Sequence, residues 1–208
     1  MPRKLLAMLV VVVGLALRPP GAEAAAAPAG EVLAVAGACT VVTGGQQQPL
    51  KAGDAVHAGD TLDVPVGARL KLRMNDGSVL ALAANSRITI QAYEVASGGQ
   101  QREARLSLAA GLLRATVAKL TQPSHFEVDT ATGVAAVRGT DWFIEAAPGA
   151  TQVGVLEGTV TLASATTARS VTIPARWGAR VEAGKDPVPA RVWSPEEFAA
   201  DIARTDLK

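Results

Sequence analysis

The chain has few aromatic side chains: one Tyr, three Trp and three Phe among 208 residues, 3% of the total. That excludes a core built on large rings, and it leaves little material for a platform on which sugars or bases stack. A single cysteine, Cys39, rules out an internal disulfide, so an oxidising compartment is permitted but not exploited. Two histidines, His57 and His125, restrict both nucleophilic catalysis and metal binding. A formal net charge of +1 gives nucleic acid nothing to hold. After residue 17 no apolar run approaches the length that spans a bilayer, about 18–20 residues.

Short aliphatic side chains are abundant. Residues of the AVILMFWYC set make up 49% of the chain, mostly Ala, Val and Leu, with 20 Gly and 12 Pro to make turns. A shallow core of short side chains suits closely stacked strands. The N-terminus has the layout of a secretory signal. Arg3 and Lys4 precede a 13-residue uncharged run, Leu5 to Leu17. Arg18-Pro19-Pro20 then stops any helix, and Ala22-Glu23-Ala24 places small residues at the cleavage positions. The expectation is a signal peptide, residues 1–24, cleaved after Ala24, which delivers a mature chain to the periplasm. Its removal takes away three basic residues and one acidic one, leaving a formal charge of −1. Ala36-Gly37-Ala38-Cys39 lies far beyond the apolar run with the wrong first residue for lipid attachment, so Cys39 reads as a small buried residue of the first strand.

An Ala/Pro linker, 25–30, leads into a first strand read over Glu31 to Val42. Two copies of one six-residue unit follow, Leu50-Lys51-Ala52-Gly53-Asp54-Ala55 and Val56-His57-Ala58-Gly59-Asp60-Thr61. They predict two turns of the same shape, with Gly53 and Gly59 at positive φ and Asp54 and Asp60 bonding the next backbone N–H groups. Asp54, His57 and Asp60 do not have a zinc spacing, and no metal is expected. Leu70, Leu72 and Met74 alternate with Lys71 and Arg73, and Asn75-Asp76-Gly77 reads as a hairpin turn. Leu80 and Leu82, Ile88 and Ile90, Leu106 and Leu108, then Phe126 and Val128 repeat the period of two. Short strands with turn signals between them predict an all-β domain over 31–183, either a twisted sandwich or a flattened solenoid-like roll. Pro187 and Pro189 mark a second linker, 184–193. Ser194-Pro195-Glu196-Glu197 opens a short helix in the tail, 194–208, with Ser as N-cap and Glu197 closing a capping box. Phe198 and Ile202 share a face, which is expected to cap the open end of the β domain.

The chain is organised around residues 131–161. The apolar parity of Val134, Ala136, Phe143 and Ile144 does not hold through Gly139, which predicts a β-bulge there. Val137-Arg138-Gly139-Thr140 and Leu156-Glu157-Gly158 flank a Pro148-Gly149 turn. Arg138, Thr140 and Glu157 are the candidate partner-binding residues, a guanidinium and a hydroxyl presented to a partner's carboxylate or backbone. The competing reading pairs Arg138 internally with a carboxylate such as Glu157, has Gly139 simply permit the bulge, and keeps Gly158 as a structural turn or bulge residue. No catalytic constellation is legible: neither histidine sits in a motif, and Cys39 lacks a catalytic context. Paired carboxylates of a glycosidase are spatial and stay open, so a hydrolase is the third-ranked function. Trp142, Trp177 and Trp193 keep a cell-envelope glycan or peptidoglycan-binding module as the alternative.

Taken in order, Gly53-Asp54, Gly59-Asp60, Asp76-Gly77-Ser78, Asn85-Ser86, Leu108 to Gly111, Thr130, Val137-Arg138-Gly139-Thr140 and Leu156-Glu157-Gly158 resemble the periplasmic FecR-like domain family. The resemblance covers roughly residues 31–183. It implies a compact strand-only module that binds other proteins, without a cofactor and without catalysis. In the iron regulators of that family the domain follows a sigma-factor-binding segment and one membrane helix. This sequence has neither, so no transmembrane signalling by the chain itself is expected. The expectation is a non-enzymatic periplasmic protein-interaction or sensory module.

Overall fold

The structure is a computed structural model that describes residues 27–96 and 98–207. The signal segment and the cleavage position after Ala24 lie outside the described residues. The strands are β1 (Gly30–Ala36), β2 (Thr40–Thr43), β3 (Gln46–Pro49), β4 (Ala55–Val56), β5 (Thr61–Val64), β6 (Arg69–Met74), β7 (Val79–Leu82), β8 (Ser86–Val95) and β9 (Arg102–Thr116). They continue with β10 (His125–Asp129), β11 (Gly133–Val137), β12 (Asp141–Ala147), β13 (Ala150–Glu157), β14 (Thr159–Ser164), β15 (Ser170–Pro174), β16 (Trp177–Glu182) and β17 (Arg191–Val192). One helix, α1 (Pro195–Thr205), follows.

The strands form two sheets that share β9. Sheet A runs β4-β1-β6-β7-β9-β12-β13-β16-β17. Sheet B runs β3-β2-β5-β8-β9-β10-β11-β14-β15. Residues 102–110 of β9 pair in sheet B, and residues 111–116 pair in sheet A. The fold between them is at Gly111, with φ +90. A Cβ there would sit 2.6 Å from the Asn85 carbonyl oxygen and against Ser86, so the strand can double back only without a side chain. Ser86 clamps the bend: its Oγ accepts from the Leu112 N–H at 3.0 Å and donates to the Leu112 carbonyl at 3.3 Å. A twisted, roll-like sandwich is the outcome, in agreement with the all-β expectation.

From β10 onward, hairpins alternate between the sheets: β10–β11 in B, β12–β13 in A, β14–β15 in B, β16–β17 in A. The registers place the hairpin turns at one rim and the sheet-to-sheet corners at the other. The sole parallel pair among the described residues, β9–β10, needs no crossover helix, because the second half of β9 carries the chain back through sheet A. Between the sheets lies one core of Leu, Val, Ile and Ala around Trp142 and Phe126.

Four details differ from the expectations. The first strand breaks at Gly37 (φ +80), which sends β1 into sheet A and β2 into sheet B. Cys39 is buried in that break, its thiol 3.5 Å from the Arg69 carbonyl oxygen. The stretch read as a linker, 184–193, contains β17 and the buried Trp193. Helix α1 has the capping box read from sequence, but it lies on the outer face of sheet A rather than over the open end. There Phe198 and Trp193 cover Ala83, Leu112 and Phe143. The Trp193 indole occupies a slot made by the facing pair Gly154 and Gly178, where a Cβ on either glycine would collide with its ring. Glu145 holds Arg204 at 2.6 Å, and Lys71 donates to the Leu207 carbonyl at 3.1 Å.

Candidate functional site

The corner rim brings the sequence motifs together. Val137 ends β11 in sheet B and Asp141 begins β12 in sheet A, so Arg138-Gly139-Thr140 is a corner between sheets, not a bulge within a strand. The bulge lies one strand over. Asp141 faces Glu157 and Trp142 faces Val155, leaving Leu156 as the extra residue of β13. Parity changes at Gly139 because the chain changes sheets, and again because Phe143 points outward beneath α1.

Each motif glycine is required by a close approach at this corner. Gly139 (φ +61) passes Lys119 so closely that a Cβ would lie 2.9 Å from the lysine Cβ. Gly158 (φ +87) turns β13 into β14 against Thr140, with the Gly139 carbonyl oxygen 3.1 Å from its own Cβ position. Their separation in sequence is the length of the β12–β13 hairpin that carries the chain away and returns it. Thr140 is 2% exposed, and its carbonyl accepts from the Val117 N–H at 2.8 Å. It therefore presents no hydroxyl to a partner, contrary to expectation; its Oγ1 has no hydrogen-bond partner among the described residues.

Arg138 and Glu157 are both exposed, and among the described residues neither belongs to an ion pair or a side-chain hydrogen bond. The internal Arg138–Glu157 pair is not formed. The carboxylate that braces this corner is Asp141, one residue past the motif, held by Arg114 through bonds of 3.0 and 2.7 Å. Arg114 also lies over the Phe143 ring, 5.4 Å from its centroid. Alternation marks Arg114 as an outward residue, but nothing in the sequence links it to Asp141.

Farther along the same rim, the Asn75-Asp76-Gly77 turn does more than reverse the chain. Asp76 and Arg102 form a buried ion pair, their side chains 0% and 1% exposed. Asp76 accepts from the Ser78 N–H at 2.9 Å, the Ser78 hydroxyl at 2.7 Å and the Tyr93 hydroxyl at 2.8 Å. Arg102 also donates to the Ala118 carbonyl at 3.3 Å and lies over Phe126. The network ties the β6–β7 hairpin of sheet A to β8 and β9 of sheet B. Burial pushes the Asp76 carboxyl up, but the bonds from Ser78, Arg102 and Tyr93 outweigh it and hold the group below its ordinary range. Burial, then the Asp76 charge, drives the Tyr93 phenol strongly upward.

The remaining expected residues have structural roles. Gly53 (φ +89) and Gly59 (φ +93) shape two like turns. Their aspartates bond backward rather than forward: Asp54 accepts from the Lys51 N–H at 2.7 Å and Asp60 from the His57 N–H at 2.8 Å. Gly77 (φ +85) completes the hairpin turn. His57 lies beside Asp60 at 3.7 Å, and His125 beside Glu127 at 2.8 Å, on separate parts of the molecule. Among the described residues no three His, Cys, Asp or Glu side chains are grouped to hold a metal ion. Of the three tryptophans, Trp142 is fully buried, Trp193 is 6% exposed and Trp177 is 37% exposed.

Residues 60–161 match the model of the family described as FecR protein. Two crystal structures of a candidate anti-sigma factor from Parabacteroides distasonis share the fold. One has a TM-score of 0.54 at 17% identity, covering 67% of this chain and 63% of that one. The other has a TM-score of 0.53 at 16% identity, covering 67% and 62%. The chain thus spans less than two thirds of the length of those proteins. No curated protein matches it. The ordered glycine and aspartate turns and the paired corners at Gly139 and Gly158 fall within or beside the stretch, residues 60–161, over which the chain matches a FecR domain.

Proposed function

We propose that this protein is a non-enzymatic signalling module of the bacterial cell envelope, acting in the periplasm by binding another protein at its corner rim. One observation carries the reading. Gly139, Thr140 and Gly158 are consumed by the fold, whereas Arg138 and Glu157 stand exposed at the same corner with no internal partner among the described residues. A fixed corner that displays a guanidinium and a carboxylate suits charge-assisted recognition of a complementary protein surface. The fold shared with a candidate anti-sigma factor supports a regulatory rather than a catalytic role. Neither histidine is hydrogen-bonded to a serine, threonine or cysteine side chain among the described residues, which supports the same view. A glycan-binding role would rest on the Trp177 ring alone.

The test is crosslinking in intact envelopes, with the native chain and an Arg138→Ala variant as parallel baits. The expected result is one protein captured by the native bait and lost with the variant, at unchanged melting temperature. Equal capture by both baits, or glycan fragments in place of protein, would overturn the proposal.

A further inference from the structure

Strand β15 is an open edge. It pairs with β14 along Ser170–Pro174 and with no other strand among the described residues. The other sheet ends are smaller: β3 has four residues and ends in Pro49, while β4 and β17 have two each. A free edge offers unpaired N–H and C=O groups, and proteins usually blunt it with a charge, a bulge or a cover. β15 reads Ser170-Val171-Thr172-Ile173-Pro174, with no charged residue and a regular register.

Its charges stand at the two ends. Arg169 and Arg176 are exposed, and neither forms an ion pair among the described residues. Glu157 and Asp186, the acidic residues of neighbouring turns, pair with neither. Arg176 takes φ +69, the left-handed region that Gly139 and Gly158 occupy at the two preceding corners. An arginine is strained there where a glycine is not. Beside this edge, Trp177 faces Val192 across β16 and β17, and the two are 37% and 60% exposed. Trp177 has the parity of the buried Ala179 and Val181, so it stands on the inner side of sheet A at the open end of the sandwich.

We infer that β15 takes up an extended acidic segment of a partner protein as an added strand. The segment's backbone pairs along residues 170–174, and its carboxylates meet Arg169 and Arg176. Its inward apolar side chains cover Trp177 and Val192. Backbone pairing gives the affinity, and the charges and alternate apolar positions give the selectivity. This surface is separate from Arg138 and stands without it.

The experiment is an NMR titration of the full mature chain with two synthetic peptides. One is Asp-Glu-Val-Thr-Val-Thr-Val-Glu-Asp, and the other carries Lys at all four acidic positions. With the acidic peptide, amides of residues 170–173 are expected to shift and to exchange more slowly, and Trp177 emission to move to the blue. The lysine peptide is expected to bind at least roughly tenfold more weakly. Arg176→Gly is expected to weaken the acidic peptide while melting no lower than the native chain, and Arg138→Ala to bind it as the native chain does. The two proposals therefore fail separately. No shifts at 170–173 with millimolar peptide, or equal affinity for both peptides, would overturn the inference. So would shifts that follow protein concentration alone, which would place a second copy of this chain on the edge.

Discussion

The outer faces of the two sheets have opposite characters. Sheet A turns Leu112, Phe143 and Ala83 outward and hides them under Trp193 and α1. Sheet B turns Thr61, Thr89, Ser107 and Asp129 outward in one row across four strands, with no covering element among the described residues. The covered face depends on apolar burial and on a slot with no side chains in its floor. The bare face depends on polar side chains that meet water and one another, such as Thr61 and Thr89 at 2.9 Å. One domain thus contains a half-exposed sheet with clean alternation and, in the middle of the other sheet, strands β7, β12 and β13 whose consecutive apolar residues are buried on both sides.

The Asp76–Arg102 joint ties the two sheets together, and it is where they can be parted. Asp76→Ala leaves the Arg102 charge buried and unpaired, with an expected loss of about 3–5 kcal/mol by chemical denaturation. The joint also has an acid signature. Because the folded carboxyl lies below its ordinary value of 3.8, its contribution is complete above that pH and is lost as pH falls through the lower folded value. Denaturation midpoints measured between pH 5 and pH 2 should fall less steeply in Asp76→Asn than in the native chain.

On the covered face, Phe143→Ala opens a cavity beneath α1 and is expected to cost about 3–4 kcal/mol. Gly178→Val fills the Trp193 slot and is expected to cost about 1–3 kcal/mol, with a red shift of indole emission as the ring is expelled. On the bare face, Thr161→Val should change stability by no more than about 0.5 kcal/mol. A loss at Thr161 as large as that at Phe143 would show that the bare face is covered in solution.

The difference between the faces also separates what could be read from the sequence from what could not. Alternation at Leu70, Leu72 and Met74 and the Asn75-Asp76-Gly77 turn identify strand and hairpin, because each side chain meets either core or water. The Ser194–Glu197 capping box is equally local, and the helix begins where it predicts. Phe143 defeats the same logic, since a residue facing a distant helix looks like a break in parity. Trp193 sits among Pro187, Pro189 and Ser194 and reads as linker; only the glycines at 154 and 178 show why it is buried. At the candidate site, Gly139 and Gly158 were legible as special backbone positions, but Gly139 read as a bulge within a strand where the chain in fact changes sheets. The Arg138–Glu157 pair of the competing reading does not form. Pairing across a corner depends on which way each strand leaves it, and that places Asp141 with Arg114 and leaves Glu157 free of any ion pair among the described residues.

The shared strand has a consequence for how the chain assembles. Once residues up to Thr116 have been made, β9 has closed against β7 and β8, and both of its halves still show a free side. β10 then pairs with the first half and β12 with the second, and the later hairpins extend the two sheets in turn. For a chain made from its N-terminus, the first 116 residues contain every strand needed to build a template on which the later hairpins can settle. Gly111 acts in this sense as a seed: the bend that lets one strand serve two sheets also sets where growth of both begins.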